Sequence, residues 1–131
     1  MERKKKIILF CILLCVVIGG YYSKRFIDLR TYRKQVSNIT ISNVDLSNIP
    51  DGIYAGSYEI IWVAVDVEVV VKNNSINSIV LKEHKHGKGE AAEVILEKVI
   101  EAQSLEVDIV SGATSSSKVI LKAIENALTK N

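Results

Sequence analysis

Ten consecutive residues, Asp108-Ile109-Val110-Ser111-Gly112-Ala113-Thr114-Ser115-Ser116-Ser117, concentrate the chain's capacity for polar chemistry. Five of them carry hydroxyls, two are small, and an amphipathic pattern follows directly. The first turn of a helix leaves backbone N–H groups unpaired and carries the positive end of the dipole. The run therefore has the makings of an anion seat, with phosphate as the natural guest. Gly112 and Ala113 let a ligand come close to the backbone. Ser111, Thr114, Ser115, Ser116 and Ser117 add donors, and any of these hydroxyls can itself become an ester oxygen. A purely structural reading stands beside this one, because Ser and Thr are ordinary helix N-caps.

The other chemical candidates are weaker. His84 and His86 form an H-x-H pair whose side chains share a face if the segment is a strand. No third ligand stands nearby in sequence, so surface histidines flanked by Lys85 and Lys88 are preferred to a metal site. Tyr54 and Trp62 lie in strand-like patterns and are expected to pack in the core. No nucleophile–base pair of the hydrolase type is recognisable, and no residue is assigned a catalytic role.

Elements that could position the hydroxyl run are legible on both sides of it. At 131 residues the chain is long enough for one domain. Pro50-Asp51-Gly52 marks a turn. Residues 52–58 form a short strand candidate containing Gly56, a bulge or a point of close approach. Residues 60–71 are rich in β-branched side chains, with Val63, Val65, Val67, Val69 and Val71 on one face, and a break is expected near Trp62. Lys72-Asn73-Asn74-Ser75 predicts a hairpin turn, since Asn tolerates positive φ. Residues 76–81 form the partner strand and 83–89 a polar loop. Helical spacing follows over 90–103 and again over 115–130, where Ile120, Ala123, Ile124, Ala127 and Leu128 form a stripe. The order predicts an α+β domain, a small antiparallel sheet packed by two C-terminal helices.

The N-terminus is of another kind. Residues 7–23 form a 17-residue run without charge, with four cations before it and Lys24 and Arg25 after it. This meets the lower limit of about 17 residues for a membrane-spanning helix. Tyr21 and Tyr22 stand where an interfacial aromatic belt would be. A retained anchor is preferred to a cleaved signal peptide, because no A-x-A site is present, and a buried core helix is the least suited reading. The tighter N-terminal cation cluster points to a cytoplasmic N-terminus and a body outside. Both cysteines, Cys11 and Cys15, fall in this run, so no disulfide framework is available to the body. The resulting division is an anchor at 1–23, a basic stalk and linker at 24–49, and a domain at 50–131. Up to Lys34 nine basic residues face two acidic ones, a charge of +7. Beyond it eight face thirteen, a charge of −5, which argues against a nucleic-acid partner.

Asp108-x-x-Ser111-Gly112-Ala113-Thr114 followed by Ser116-Ser117 resembles the D-x-x-[ST]-G-A-[TS]-x-[ST]-S signature of the FMN-binding domain family. That family includes the flavin-carrying subunits of sodium-translocating NADH:quinone reductase and of the Rnf complex, and small membrane-anchored flavoproteins of extracellular electron transfer. Asp51-Gly52-Ile53-Tyr54-Ala55-Gly56 is similar to its opening D-G-x-Y-x-G segment. Residues 82–89 sit where the family has a His- and Gly-containing loop near the flavin, which draws in His86. The resemblance covers residues 51 to about 128, and departs from the usual pattern in having Ser116 where Thr is frequent. It implies covalent FMN, transferred from FAD by a Mg-dependent flavin transferase to Thr114 as a phosphoester. Ser111, Gly112, Ala113, Ser115, Ser116 and Ser117 would surround the phosphate. Asp108 would be recognised by the transferase, cap the loop, or do both.

The function implied is a membrane-anchored, extracytoplasmic electron carrier, fed by a membrane donor such as a quinone reductase, and not an enzyme with its own substrate. Two other readings are a non-covalent flavin-binding regulatory or sensory domain and a cofactor-free structural domain on a membrane stalk.

Overall fold

The computed structural model describes residues 1–85 and 89–130. The chain divides into two compact units, Met1–Lys34 and Gln35–Asn131. The first unit is purely helical. It is the bulk of α1 (Glu2–Asn38), a 37-residue helix with no buried residue, and one long and apolar enough to cross a membrane. The helix runs unbroken through the basic segment, where the Arg30 guanidinium lies 4.4 Å from the centre of the Phe26 ring.

The second unit is α+β. Three antiparallel strands in the order β1 (Gly52–Ile60), β2 (Val63–Lys72) and β3 (Ser75–Lys85) form its sheet. Two helices follow, α2 (Ile95–Ala102) and α3 (Thr114–Thr129). The alternation of β2 decides which face is covered. Val63, Val65, Val67, Val69 and Val71 are all buried, as are Val119, Ile120, Ala123, Ile124 and Ala127 of α3, and Ile95 and Val99 of α2 join them in the core. Gly56 resolves as a close approach: a Cβ there would run into the Ala123 carbonyl and the Ala127 amide, so α3 rests on the backbone of β1.

Both hairpin turns have two residues. Asn73 and Asn74 hold φ of 52° and 59°, the paired left-handed conformation of a type I′ turn. Asp51 supports it by accepting the Asn73 N–H at 2.8 Å. The other turn falls at the break expected near Trp62. The run read as one strand from residue 60 is interrupted at Ile61 and Trp62, and β1 continues to Ile60. Trp62 holds φ of 71°, and the Gln35 side chain accepts the Ile61 N–H at 2.9 Å. An Ile-Trp pair carries no turn signal; a distant glutamine and the pairing of Ile60 with Val63 impose it. Trp62 is therefore 46% exposed and outside the core, contrary to its strand-like context.

β3 also outruns its expected end, taking Glu83, His84 and Lys85 into the sheet. Its register against β2 slips where Val67 pairs with Leu81 and Asp66 with Glu83, leaving Lys82 as an extra residue. The slip changes what faces inward. Plain alternation from Leu81 would turn Glu83 to the covered face; the bulge puts His84 there, opposite Val65. The helix read over residues 90–103 divides into a 3-10 turn, Glu90–Val94, and α2. Gln103 closes α2 in the left-handed conformation, φ 49°, where Gly or Asn is usual. Its amide donates to the Ile76 and Ile100 carbonyls and accepts the Ile76 N–H at 2.7 Å.

Candidate functional site

The hydroxyl run folds as a tight loop that delivers α3. The Ala113 N–H donates to the Val110 carbonyl at 3.0 Å, Gly112 takes φ of 80°, and α3 starts at Thr114. Ala113, at the N-cap position, offers no side-chain cap to the first turn. The hydroxyls divide by exposure. Ser117 is fully buried and its Oγ accepts the Val110 N–H at 3.0 Å, stitching the loop to the helix that follows it. Ser116 and Ala113 are buried as well. Ser111, Gly112, Thr114 and Asp108 are exposed, and Ser115 is half-buried. A Cβ on Gly112 would meet nothing within 4 Å, so the space over the loop is open. The loop thus presents an exposed Thr114 hydroxyl on the uncapped, positive end of a 16-residue helix.

Three sets of bonds locate that end in the domain. Lys118 donates to the Val36 carbonyl at 3.3 Å and Lys122 to the Thr40 carbonyl at 3.0 Å. Thr114, Lys118 and Lys122 are four apart and share one face of α3. Gln35, the neighbour of Val36, holds the β1–β2 turn through Ile61. Further along α3, the Asn126 amide donates to the Ser57 carbonyl at 2.9 Å. The helix therefore runs antiparallel to β1, with Thr114 at the end of the sheet where β1 turns into β2. Glu125 fastens the same face, pairing with Lys122 at 2.8 Å and accepting the Ser42 N–H at 3.2 Å.

The last residues of β3 reach the same end, because His84 and Lys85 pair with Val65 and Ala64 at the start of β2. The His84 side chain is only 3% exposed, with Nδ1 2.9 Å from Glu93 Oε1 in the 3-10 turn before α2. The expectation of a surface histidine fails for His84, and the bulge at Lys82 is the reason. His86 lies outside the described residues. Among the described residues no three His, Cys, Asp or Glu side chains gather as a metal site would need.

One end of the sheet thus gathers Thr114, the strained turn carrying Trp62, and the His84–Glu93 pair. Sequence spacing points to the first alone. Trp62 sits at the break expected in its strand, and His84 owes its place to a bulge with no local composition signal, although the three-residue step from Leu81 to His84 on a β-branched strand is compatible with one.

The family model of the FMN-binding domain matches residues 61–129, from the β1–β2 turn to the end of α3. No curated protein matches the chain.

Proposed function

This chain belongs to the FMN-binding domain family, the match covering more than half of it, and on that premise we propose that FMN is held covalently on Thr114. The observation that carries the reading is the exposed Thr114 hydroxyl at the uncapped start of α3. The donor set suits the group. A phosphate there lies on the free N–H groups of the first turn, at the positive end of the dipole. Ser111 and Ser115 are the hydroxyls within the loop that retain exposure, and Gly112 leaves the approach open. Ser117 acts from beneath, holding Val110 and with it the loop shape. Asp108, exposed six residues before Thr114, is available to a modifying enzyme.

Attachment by a flavin transferase is balanced as follows. The Thr114 oxygen attacks the FMN phosphorus of FAD, the diphosphate P–O bond breaks, a Thr–O–P bond forms, and AMP leaves with the proton. Once bound, the isoalloxazine supplies one- and two-electron transfer chemistry, and the protein supplies position and environment. The covalent bond keeps the cofactor with its domain on the extracytoplasmic side, where a dissociated flavin would diffuse away. α1 would serve as the anchor, with a membrane donor such as a quinone reductase supplying electrons to the domain and an external acceptor taking them from it.

Co-expression of the full chain with a flavin transferase tests this. Intact mass should rise by FMN less one water, with a yellow colour that survives denaturation, and Thr114→Val should abolish both. Colour lost on denaturation at unchanged mass would support the regulatory, non-covalent reading. A colourless protein would leave only a structural domain on a stalk.

A further inference from the structure

The flavin ring of a Thr114-linked cofactor needs a partner surface, and the domain offers an unusual one at the right end. Trp62 is an aromatic residue in the left-handed region, φ 71°, on an exposed two-residue turn. A bulky side chain there is an outlier, and such conformations persist where the surroundings enforce them. Here the enforcement is visible: Gln35 clamps the preceding amide, and Ile60–Val63 pairing closes the turn on both sides. Glycine would satisfy the same backbone without strain.

We propose that Trp62 is the stacking partner of the isoalloxazine ring, the inference resting on FMN attachment at Thr114. Trp62 and Thr114 flank the same end of the sheet, joined through Lys118, Val36, Gln35 and Ile61. Ile109, inside the attachment loop, and Val94, at the close of the 3-10 turn, are exposed apolar side chains on elements that carry Thr114 and Glu93. The tryptophan face would give the ring an offset-stacking partner. The two other exposed large apolar side chains of the described domain, Ile53 and Val80, pair with Val70 and Glu68, away from the turn.

The test reads flavin fluorescence, because close contact with tryptophan quenches it and mere proximity does not. The full chain, its Trp62→Gly and Trp62→Tyr variants, and a Tyr54→Phe control are each co-expressed with a flavin transferase and checked by intact mass. On flavinylated protein, Trp62→Gly should raise the flavin emission and lengthen its lifetime several-fold. Trp62→Tyr should stay within about twofold of the parent, since tyrosine also stacks and quenches. Tyr54→Phe, altering a tyrosine that bonds the Pro50 carbonyl at the start of β1, should change nothing. Trp62→Gly relieves the turn, so its thermal midpoint should not fall; a residue kept for packing alone would show the reverse. Flavinylated Trp62→Gly protein with unchanged emission overturns the inference and leaves attachment standing. Absence of the FMN adduct from the parent chain overturns attachment, and the inference with it.

Discussion

Replacing Gly56 with alanine should weaken the domain by an amount that can be worked from its contacts. The new Cβ would overlap the Ala123 carbonyl oxygen, the Ala127 amide nitrogen and, at 2.6 Å, the Ala127 methyl. Two of these are backbone atoms of a helix interior and cannot swing aside, so α3 itself must lift from β1. Overpacking of this kind costs about 1–3 kcal/mol, and an immovable neighbour argues for the upper end. Alanine in a strand recovers roughly 0.5–1 kcal/mol relative to glycine. The net expectation is a loss of about 2 kcal/mol. For a unit of this size each kcal/mol moves the midpoint by roughly 4–8 °C, so the calorimetric transition should fall by about 8–16 °C. Adding Ala127→Gly removes the methyl but neither backbone contact, and should fail to restore the midpoint. A Gly56→Ala protein melting within about 2 °C of the parent would refute the close approach. Full recovery in the double variant would show that the methyl alone was responsible.

Two further outcomes follow from local bonds. Gln103→Asn keeps a residue suited to the left-handed conformation but is one methylene short of Ile76. It should cost about 1–3 kcal/mol and speed hydrogen exchange at the Ile76 amide. Asp45 should titrate below the ordinary aspartate value, because the Ser47 hydroxyl and then the Ser47 amide donate to its carboxylate. A depressed folded value means that its contribution is present above the unfolded value and is lost as pH falls through the folded one. Carboxyl NMR titration of the parent and of Ser47→Ala should show the midpoint returning upward in the variant.

Residue pattern carried the fold where burial is one-sided. The five alternating valines of β2 and the stripe of α3 can satisfy water and core in only one arrangement, which specifies the covered face and the helices upon it. Asn73-Asn74 was readable because asparagine tolerates the conformation its turn requires. The candidate site was readable as far as the hydroxyl run goes, since the loop and the start of α3 are local. What lay beyond local reach was set by distant partners. Gln35 fixes a turn 26 positions away, Gln103 satisfies Ile76 across 27, and Lys118 and Lys122 bind carbonyls 82 positions back. A bulge at Lys82, invisible to any count of apolar residues, sends His84 inward. The stretch 36–49, within the segment read as stalk and linker, reads as a connector, yet Ile39 and Ile49 are buried and Asn43 accepts the Leu105 N–H at 3.1 Å. Isolated aliphatics among polar residues reveal such docking only once the surface they meet is known.

The Gln103 side chain donates and accepts at Ile76 as a neighbouring peptide would, so a single amide impersonates a fourth strand on the rim of β3. Bare sheet rims invite other chains to zip onto them. On the reading of α1 as a membrane anchor, chains would meet one another in two dimensions, where tethering raises the frequency of encounter far above that of free molecules. A plug at the first residues of that rim denies them a starting point for fibril-like stacking, at the expense of one side chain.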